Sequence, residues 1–189
     1  HHARWPACAW ARDTQRERDA FVILNWVRTL SPKATFELAP FYHLNAAKYD
    51  SPATDFPVAT TWHQTSNYAG AQADLHVTAG SNNFTGGIYS FYQHENDLFG
   101  LIINDQTFTD ATVANTAATQ NAGIAEFHFS DQVKFGPYLS LYGGMRISSY
   151  HAGLSETAAY PRLGATLEVP HLHWVFRGYY GHYFQPAPV

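Results

Sequence analysis

The feature that most constrains this fold is a run of alternating apolar and polar residues near the C-terminus of the 189-residue chain. Residues 162–169 place Leu163 and Leu167 on one side and Arg162 on the other, and residues 174–181 repeat the alternation. Alternation with a period of two is typical of a β-strand that has an apolar medium on one face and polar groups on the other. The four residues between the two runs include a proline and predict a turn. The sequence therefore predicts a β-hairpin.

The rest of the chain repeats this pattern and predicts a set of antiparallel hairpins. The composition fits such a chain, because only 14% of the residues are charged, against about 25% in typical soluble domains, while 16% are aromatic. The remaining strands are expected at about 20–30, 35–48, from after Trp62 to Ala79, 84–95, 122–132 and from about Leu139 to Ser148.

The predicted connections alternate in length along the chain. Those at 31–34, 80–83, 133–137 and 170–173 are short, those at 49–61 and 96–120 are long, and 149–158 is intermediate. Outer-membrane barrels have short periplasmic turns, longer extracellular loops and strands of about 10 residues. The predicted fold is therefore all-β, with about eight antiparallel transmembrane β-barrel strands in residues 20–189. Residues 1–19 are expected to be a polar loop or a disordered segment.

Several classes of protein are disfavoured by simple counts. A net charge of −4 gives no support to nucleic-acid binding. The apolar runs are shorter than the ~18 residues that a membrane-spanning helix requires. The single cysteine, Cys8, excludes an internal disulfide and a thiolate metal cluster. The chain begins at His1 without a signal region, so we expect a processed N-terminus or a fragment.

Segments 161–166 and 174–186, together with 67–74 and 87–93, resemble barrel strands of TonB-dependent outer-membrane receptors. They are similar in particular to the branch whose plug follows a carboxypeptidase-regulatory-like domain. The resemblance implies a place in the outer membrane of a Gram-negative bacterium and uptake of a scarce solute such as a siderophore, cobalamin or an oligosaccharide. The implied partners are outer-membrane lipid, the solute at the extracellular loops, a plug domain and the inner-membrane energy-coupling complex.

Three departures from that family point to an internal piece of a receptor barrel. Such receptors close about 22 strands around a plug, whereas about eight strands are expected here. The chain shows no plug or energy-coupling box at its N-terminus, and it ends on 185–189 rather than on a strand with a terminal aromatic residue. The loops 49–61, 96–120 and 149–158 are the expected surface for solute capture.

Polar residues on the strands give the candidate site. In a barrel these side chains point into the lumen, where they contact a solute or the plug, or pair with each other; mutual pairing is the interpretation we favour. The lumen-facing candidates are Asp74, His76, Glu126, His128, Arg146, Arg162 and Arg177. His171 and His173 have spacing that suits a metal, but their position in a predicted turn without a third ligand favours a surface turn. No metal site and no cofactor are predicted.

Two other functions remain open at this level. One is a self-contained eight-stranded outer-membrane barrel that acts as an adhesin, a lipid-modifying enzyme or an anchor. The other is a soluble β-sandwich that binds carbohydrate. An enzyme is disfavoured, because the chain has no phosphate-binding loop and no nucleophile-elbow sequence. The face that contains Leu75, Phe127 and Met145 distinguishes a membrane protein from a soluble one. This face is apolar, and in water only a second sheet could cover it.

Overall fold

The computed structural model describes residues 13–52, 55–103 and 112–183. This part of the chain forms nine strands in one sheet, with a single turn of 3₁₀-helix at Pro170–Leu172. No helix among the described residues is long and apolar enough to cross a membrane. The strands are β1 (Thr14–Ile23), β2 (Trp26–Ser31), β3 (Ala34–Asp50), β4 (Val58–Ala79), β5 (Asn82–Ile103), β6 (Thr112–Phe135), β7 (Leu139–Ala152), β8 (Leu154–Val169) and β9 (Trp174–Gly181).

Consecutive strands are neighbours from β3 to β9, and β1 and β2 both pair with β3. The antiparallel register aligns Phe127 on β6 with Ile147 on β7, Leu141 on β7 with Ala165 on β8, and Leu167 on β8 with Phe176 on β9. Antiparallel neighbours can be joined by short hairpin turns, which fits the pairing of consecutive strands. The predicted all-β antiparallel class is confirmed.

The structure corrects the prediction at the start of the chain. β1 begins at Thr14, so residues 14–19 belong to a strand and not to a loop; residues 1–12 lie outside the described part. The single strand expected at about 20–30 is interrupted at 24–25, where the Leu24 amide donates to the Pro40 carbonyl at 3.0 Å. Two strands therefore stand where one was expected, which raises the number from about eight to nine.

The predicted long loops are also shorter in the structure. β5 continues through Ile103 and β6 begins at Thr112, so most of 96–120 is strand; residues 104–111 lie outside the described part. The connection at 149–158 is a tight turn at Gly153, whose positive φ of 72° suits glycine. Strands pair through backbone hydrogen bonds, which need no apolar side chains. The polar ends of β5 and β6 therefore lack the hydrophobic alternation from which a strand can be predicted.

The described residues divide into two units. The first contains residues of the ranges 1–21, 43–67 and 94–120, and the second those of 22–42, 68–93 and 121–189. In the second unit the short turns stand side by side, because the Thr78 amide donates to Lys33 O, the Lys134 amide to Ser81 O and the Glu168 amide to Tyr138 O at 2.7–2.9 Å.

Neither unit has an ordinary apolar core. Among the described residues, the buried apolar side chains are Ala39, Ala59, Ala122 and Tyr160. Buried polar side chains are Ser66, Asp74 and Ser148, each no more than 7% exposed. Large apolar side chains are instead distributed over the surface. Soluble domains bury such side chains and expose the polar ones, so the usual arrangement is reversed here.

Candidate functional site on the polar face

Strand pairing in the second unit collects polar side chains on one face of β6–β9. His128 lies opposite Arg146, which lies opposite Tyr160, and Glu126 lies opposite Ser148. Directly opposed residues of an antiparallel pair lie on the same face of the sheet. We call this the polar face; in the same unit it extends to Asp74 through a contact with His128.

The most closely packed part of the polar face joins β4, β5 and β6. The Asp74 Oδ1 atom lies 2.9 Å from His128 Nε2, and Gln72 Nε2 donates to Asp74 Oδ2 at 2.7 Å. Strand β5 runs between Asp74 and His128, and its residue at this point is Gly87. A Cβ atom at Gly87 would collide with Asp74 Oδ1 and lie 2.8 Å from His128 Cε1. Glycine is therefore required at this position so that the two side chains can meet across the intervening strand.

An ion pair lies on the same face. Arg146 Nη1 is 3.4 Å from Glu126 Oε2, and the Glu126 side chain is 13% exposed while that of Arg146 is 39% exposed. The buried Nε atom of Arg146 has no hydrogen-bond acceptor among the described residues. The Arg146 guanidinium therefore keeps a donor that Glu126 does not use.

The remaining predicted candidates share the polar face but do not join these two pairs. His76 Nδ1 lies 3.1 Å from Thr85 Oγ1. The Arg162 guanidinium stands 5.4 Å from the ring centroid of Tyr183, a cation–π contact. Arg177 lies opposite Thr166 and is exposed. All seven candidates thus fall on one face, and four of them contact each other in two pairs, Asp74 with His128 and Glu126 with Arg146.

An aromatic cluster next to these pairs was not predicted, because the sequence of β5 is aromatic on both faces. Phe41 and Tyr89 stack with centroids 6.0 Å apart, Tyr89 contacts Phe91 edge-on, and Phe91 contacts Tyr68. Tyr89 and Phe91 alternate in step with Gly87, which places them on the polar face. The polar face therefore offers flat aromatic surfaces beside charged groups.

The opposite face of β6–β9 is apolar and exposed. Phe127 is 47% exposed, Leu141 40%, Leu163 57% and Phe176 52%, whereas Tyr160 on the polar face is 7% exposed. The register aligns these apolar side chains in rows across neighbouring strands. We call this the apolar face.

In the first unit, a row of polar contacts joins β4 to β5. Trp62 Nε1 donates to Asp97 Oδ1 at 2.6 Å, Gln64 Nε2 donates to Glu95 Oε1 at 2.8 Å, and Ser66 Oγ donates to Glu95 Oε2 at 3.3 Å. This row was not predicted, because Asp97 fell in the loop expected at 96–120 and Glu95 at the end of the strand expected at 84–95. The alternation of Trp62, Gln64 and Ser66 was the available signal.

Two more carboxylates of the first unit lie within hydrogen-bond distance of histidines. Asp19 Oδ2 lies 2.9 Å from His43 Nε2 and accepts from Asn45 Nδ2 at 3.1 Å. Asp50 Oδ1 lies 2.8 Å from His63 Nε2. Because alternate residues of a strand point the same way, the contacts of Asp19 place His43 and Asn45 on the same face as Asp19.

The described residues of the two faces form no metal-binding group. Within 13–52, 55–103 and 112–183, no three His, Cys, Asp or Glu side chains come close enough together to bind a metal ion. His171 and His173 lie at the 3₁₀ turn after β8, in agreement with the predicted surface turn. Among the described residues, the contacts of the polar face are hydrogen bonds, one ion pair and aromatic contacts.

The fold so described is that of antiparallel strands from an outer-membrane β-barrel, and solved structures of larger proteins contain it. The ferric citrate transporter FecA in its unliganded form matches with a TM-score of 0.61 and 13% identity, over 83% of this chain and 26% of that protein. BauA, the ferric preacinetobactin receptor from Acinetobacter baumannii, matches with a TM-score of 0.58 and 11% identity, over 82% of this chain and 29% of that receptor.

The chain thus spans less than a third of either protein. At these identities the likeness concerns the fold alone. No family model matches the sequence, and no curated protein matches it.

Proposed function

We propose that this chain is a barrel segment of a TonB-dependent receptor that imports a scarce solute across the outer membrane of a Gram-negative bacterium. The solute class is a siderophore, cobalamin or an oligosaccharide. The proposal also includes the branch in which a carboxypeptidase-regulatory-like domain precedes the plug. Its support is the structural likeness together with the sequence resemblance given above.

The observation that carries the proposal is the reversed burial of the two faces. Phe127, Leu163 and Phe176 are about half exposed, whereas Asp74 and Ser148 are nearly buried. Burying apolar surface contributes about 25 cal/mol per Å², so an exposed apolar face is strongly unfavourable in water. In a bilayer the same face contacts lipid, and the polar face lines the interior of the barrel.

In this proposal the seven candidates on the polar face are lumen-facing. The Asp74–His128 pair links β4 to β6 across β5, and the Glu126–Arg146 pair links the neighbouring strands β6 and β7. The unused Arg146 donor contacts the plug or the passing solute. The extracellular connections of the first unit capture the solute, and the inner-membrane energy-coupling complex then moves the plug. The chain does not act as an enzyme.

The experiment is to express the chain with an export signal and to test whether it enters the outer membrane as a heat-modifiable β-barrel. If it aggregates alone but inserts when the plug and flanking strands of a receptor are supplied, the receptor proposal is supported. Insertion of the chain by itself favours a self-contained barrel. Recovery as a soluble, folded monomer contradicts any membrane function.

A further inference from the structure

A second polar feature lies in the first unit, on the face turned away from Asp19. The contacts of Asp19 with His43 and Asn45 place these three residues on one face of the β1–β3 pair. Strand alternation then places Arg16, Arg18 and Lys48 on the other face. Together with Leu44, Ala46 and Thr65 they line a groove of about 260 Å³. We call it the basic groove.

The three cations of the basic groove lack acidic partners within the described part of the chain. Glu17 and Asp19 alternate with the two arginines and so lie on the other face, where they contact Gln15 and His43. Asp50 contacts His63 at 2.8 Å. Three like charges that share one groove repel each other. An anion bound among them would remove that repulsion.

The groove also has an apolar part. Leu44 and Ala46 alternate with Lys48 along β3, so a hydrocarbon surface lies directly beside the charges. Arginine guanidinium groups match the geometry of phosphate oxygens and bind them with paired hydrogen bonds. Charges beside an apolar surface favour a ligand that is itself anionic at one end and apolar at the other.

We propose that the basic groove binds the phosphate of a lipid headgroup in the membrane leaflet on the side of the longer connections. The proposal rests on the proposed function, because a lipid reaches the groove only if this face of the strands contacts the membrane. Free phosphate has the same charge chemistry but makes no use of Leu44 and Ala46. The lipid is therefore the ligand to which we commit.

The test compares vesicles of phosphatidylcholine that contain lipid A with vesicles that contain dephosphorylated lipid A. The chain, joined to the flanking receptor strands if it requires them, is inserted into both, and insertion is verified by heat modifiability. Retention of lipid A during detergent extraction measures binding. The variant is R16Q/R18Q/K48Q. The control is R28Q/K33Q/K134Q, which removes the same charge from exposed positions outside the groove.

We expect the groove variant to retain lipid A roughly 100-fold more weakly than the original chain, since each cation near an anionic membrane surface is worth about fivefold in affinity. The control variant should change retention less than about threefold. The R16K/R18K variant keeps the charge but loses the paired hydrogen bonds, so we expect it to bind more weakly than the original chain and more strongly than the groove variant.

The outcomes separate this inference from the proposed function. Normal insertion with equal retention of lipid A and its dephosphorylated form overturns the lipid site and leaves the receptor proposal intact. Displacement of lipid A by inorganic phosphate at low millimolar concentration would identify a site for free phosphate and overturn the choice of lipid. Failure to insert into any vesicle, even with the flanking strands, overturns both proposals.

Discussion

The two faces of β6–β9 consist of the same strands with the same register, yet they differ in burial in the sense opposite to that of a soluble protein. On the apolar face Leu163 is 57% exposed, whereas Ser148 on the polar face is 6% exposed. Because both faces share one backbone, the difference in exposure comes from the side chains and from what covers each face. The comparison shows that one face is covered by contacts within the protein, whereas the other leaves large apolar side chains uncovered.

The largest effect is expected where the polar face is most tightly packed. Replacing Gly87 by Val should destabilise the folded chain by about 4 kcal/mol or more, because the new side chain overlaps Asp74 and His128 and separates them. Urea unfolding in detergent micelles, followed by tryptophan fluorescence, measures the change. The control is Gly178→Ala, where a Cβ atom meets nothing within 4 Å. Equal stability of the two variants would contradict the close packing at Gly87.

A charge on the apolar face tests the medium directly. Leu141→Arg should cost about 2–4 kcal/mol in a bilayer if the position lies near its midplane, while Ser140→Arg on the polar face should cost much less. In water the same Leu141 change would alter the free energy of unfolding by less than about 0.5 kcal/mol, as for most exposed positions. Folding yield into vesicles at increasing urea concentration compares the two variants. A neutral effect of Leu141→Arg would remove the main argument for the membrane.

The Asp74–His128 and Glu126–Arg146 contacts of the polar face should differ in strength. A double-mutant cycle of Asp74→Ala and His128→Ala should give a coupling free energy of about 1–3 kcal/mol, because the pair is close and largely buried. The same cycle for Glu126 and Arg146 should give about 0.5–1 kcal/mol, since their atoms are 3.4 Å apart and Arg146 is partly exposed. The reverse order would show that burial does not determine the strength of these pairs.

The smallest effect is expected for a candidate without a charged partner. Arg177→Gln should change the unfolding free energy by less than about 0.5 kcal/mol, because the side chain is exposed and lies opposite Thr166. A receptor that carries this change should keep its stability, so any loss of solute uptake in a transport assay would assign Arg177 to the transport path. A large loss of stability would instead reveal a structural role.

The sequence predicted the two faces of β7 and β8 well and the extent of β5 and β6 poorly. Alternation of Leu139, Leu141 and Met145 with polar residues is a local pattern that needs no knowledge of the neighbours. Residues 113–120 carry no such alternation, and every one of them is exposed. They belong to a strand because they run beside the preceding strand β5, and pairing between two strands leaves no signal in the alternation of one segment.

The sequence by itself determined the class of fold and the distribution of residues between the two faces, because a period of two follows directly from the geometry of a strand. It also placed all seven candidate residues on one face. Only the tertiary structure decided which of them meet. Asp74 contacts His128 because β5 crosses between them at a glycine, and the register that brings these positions together is a property of the paired strands rather than of either one alone.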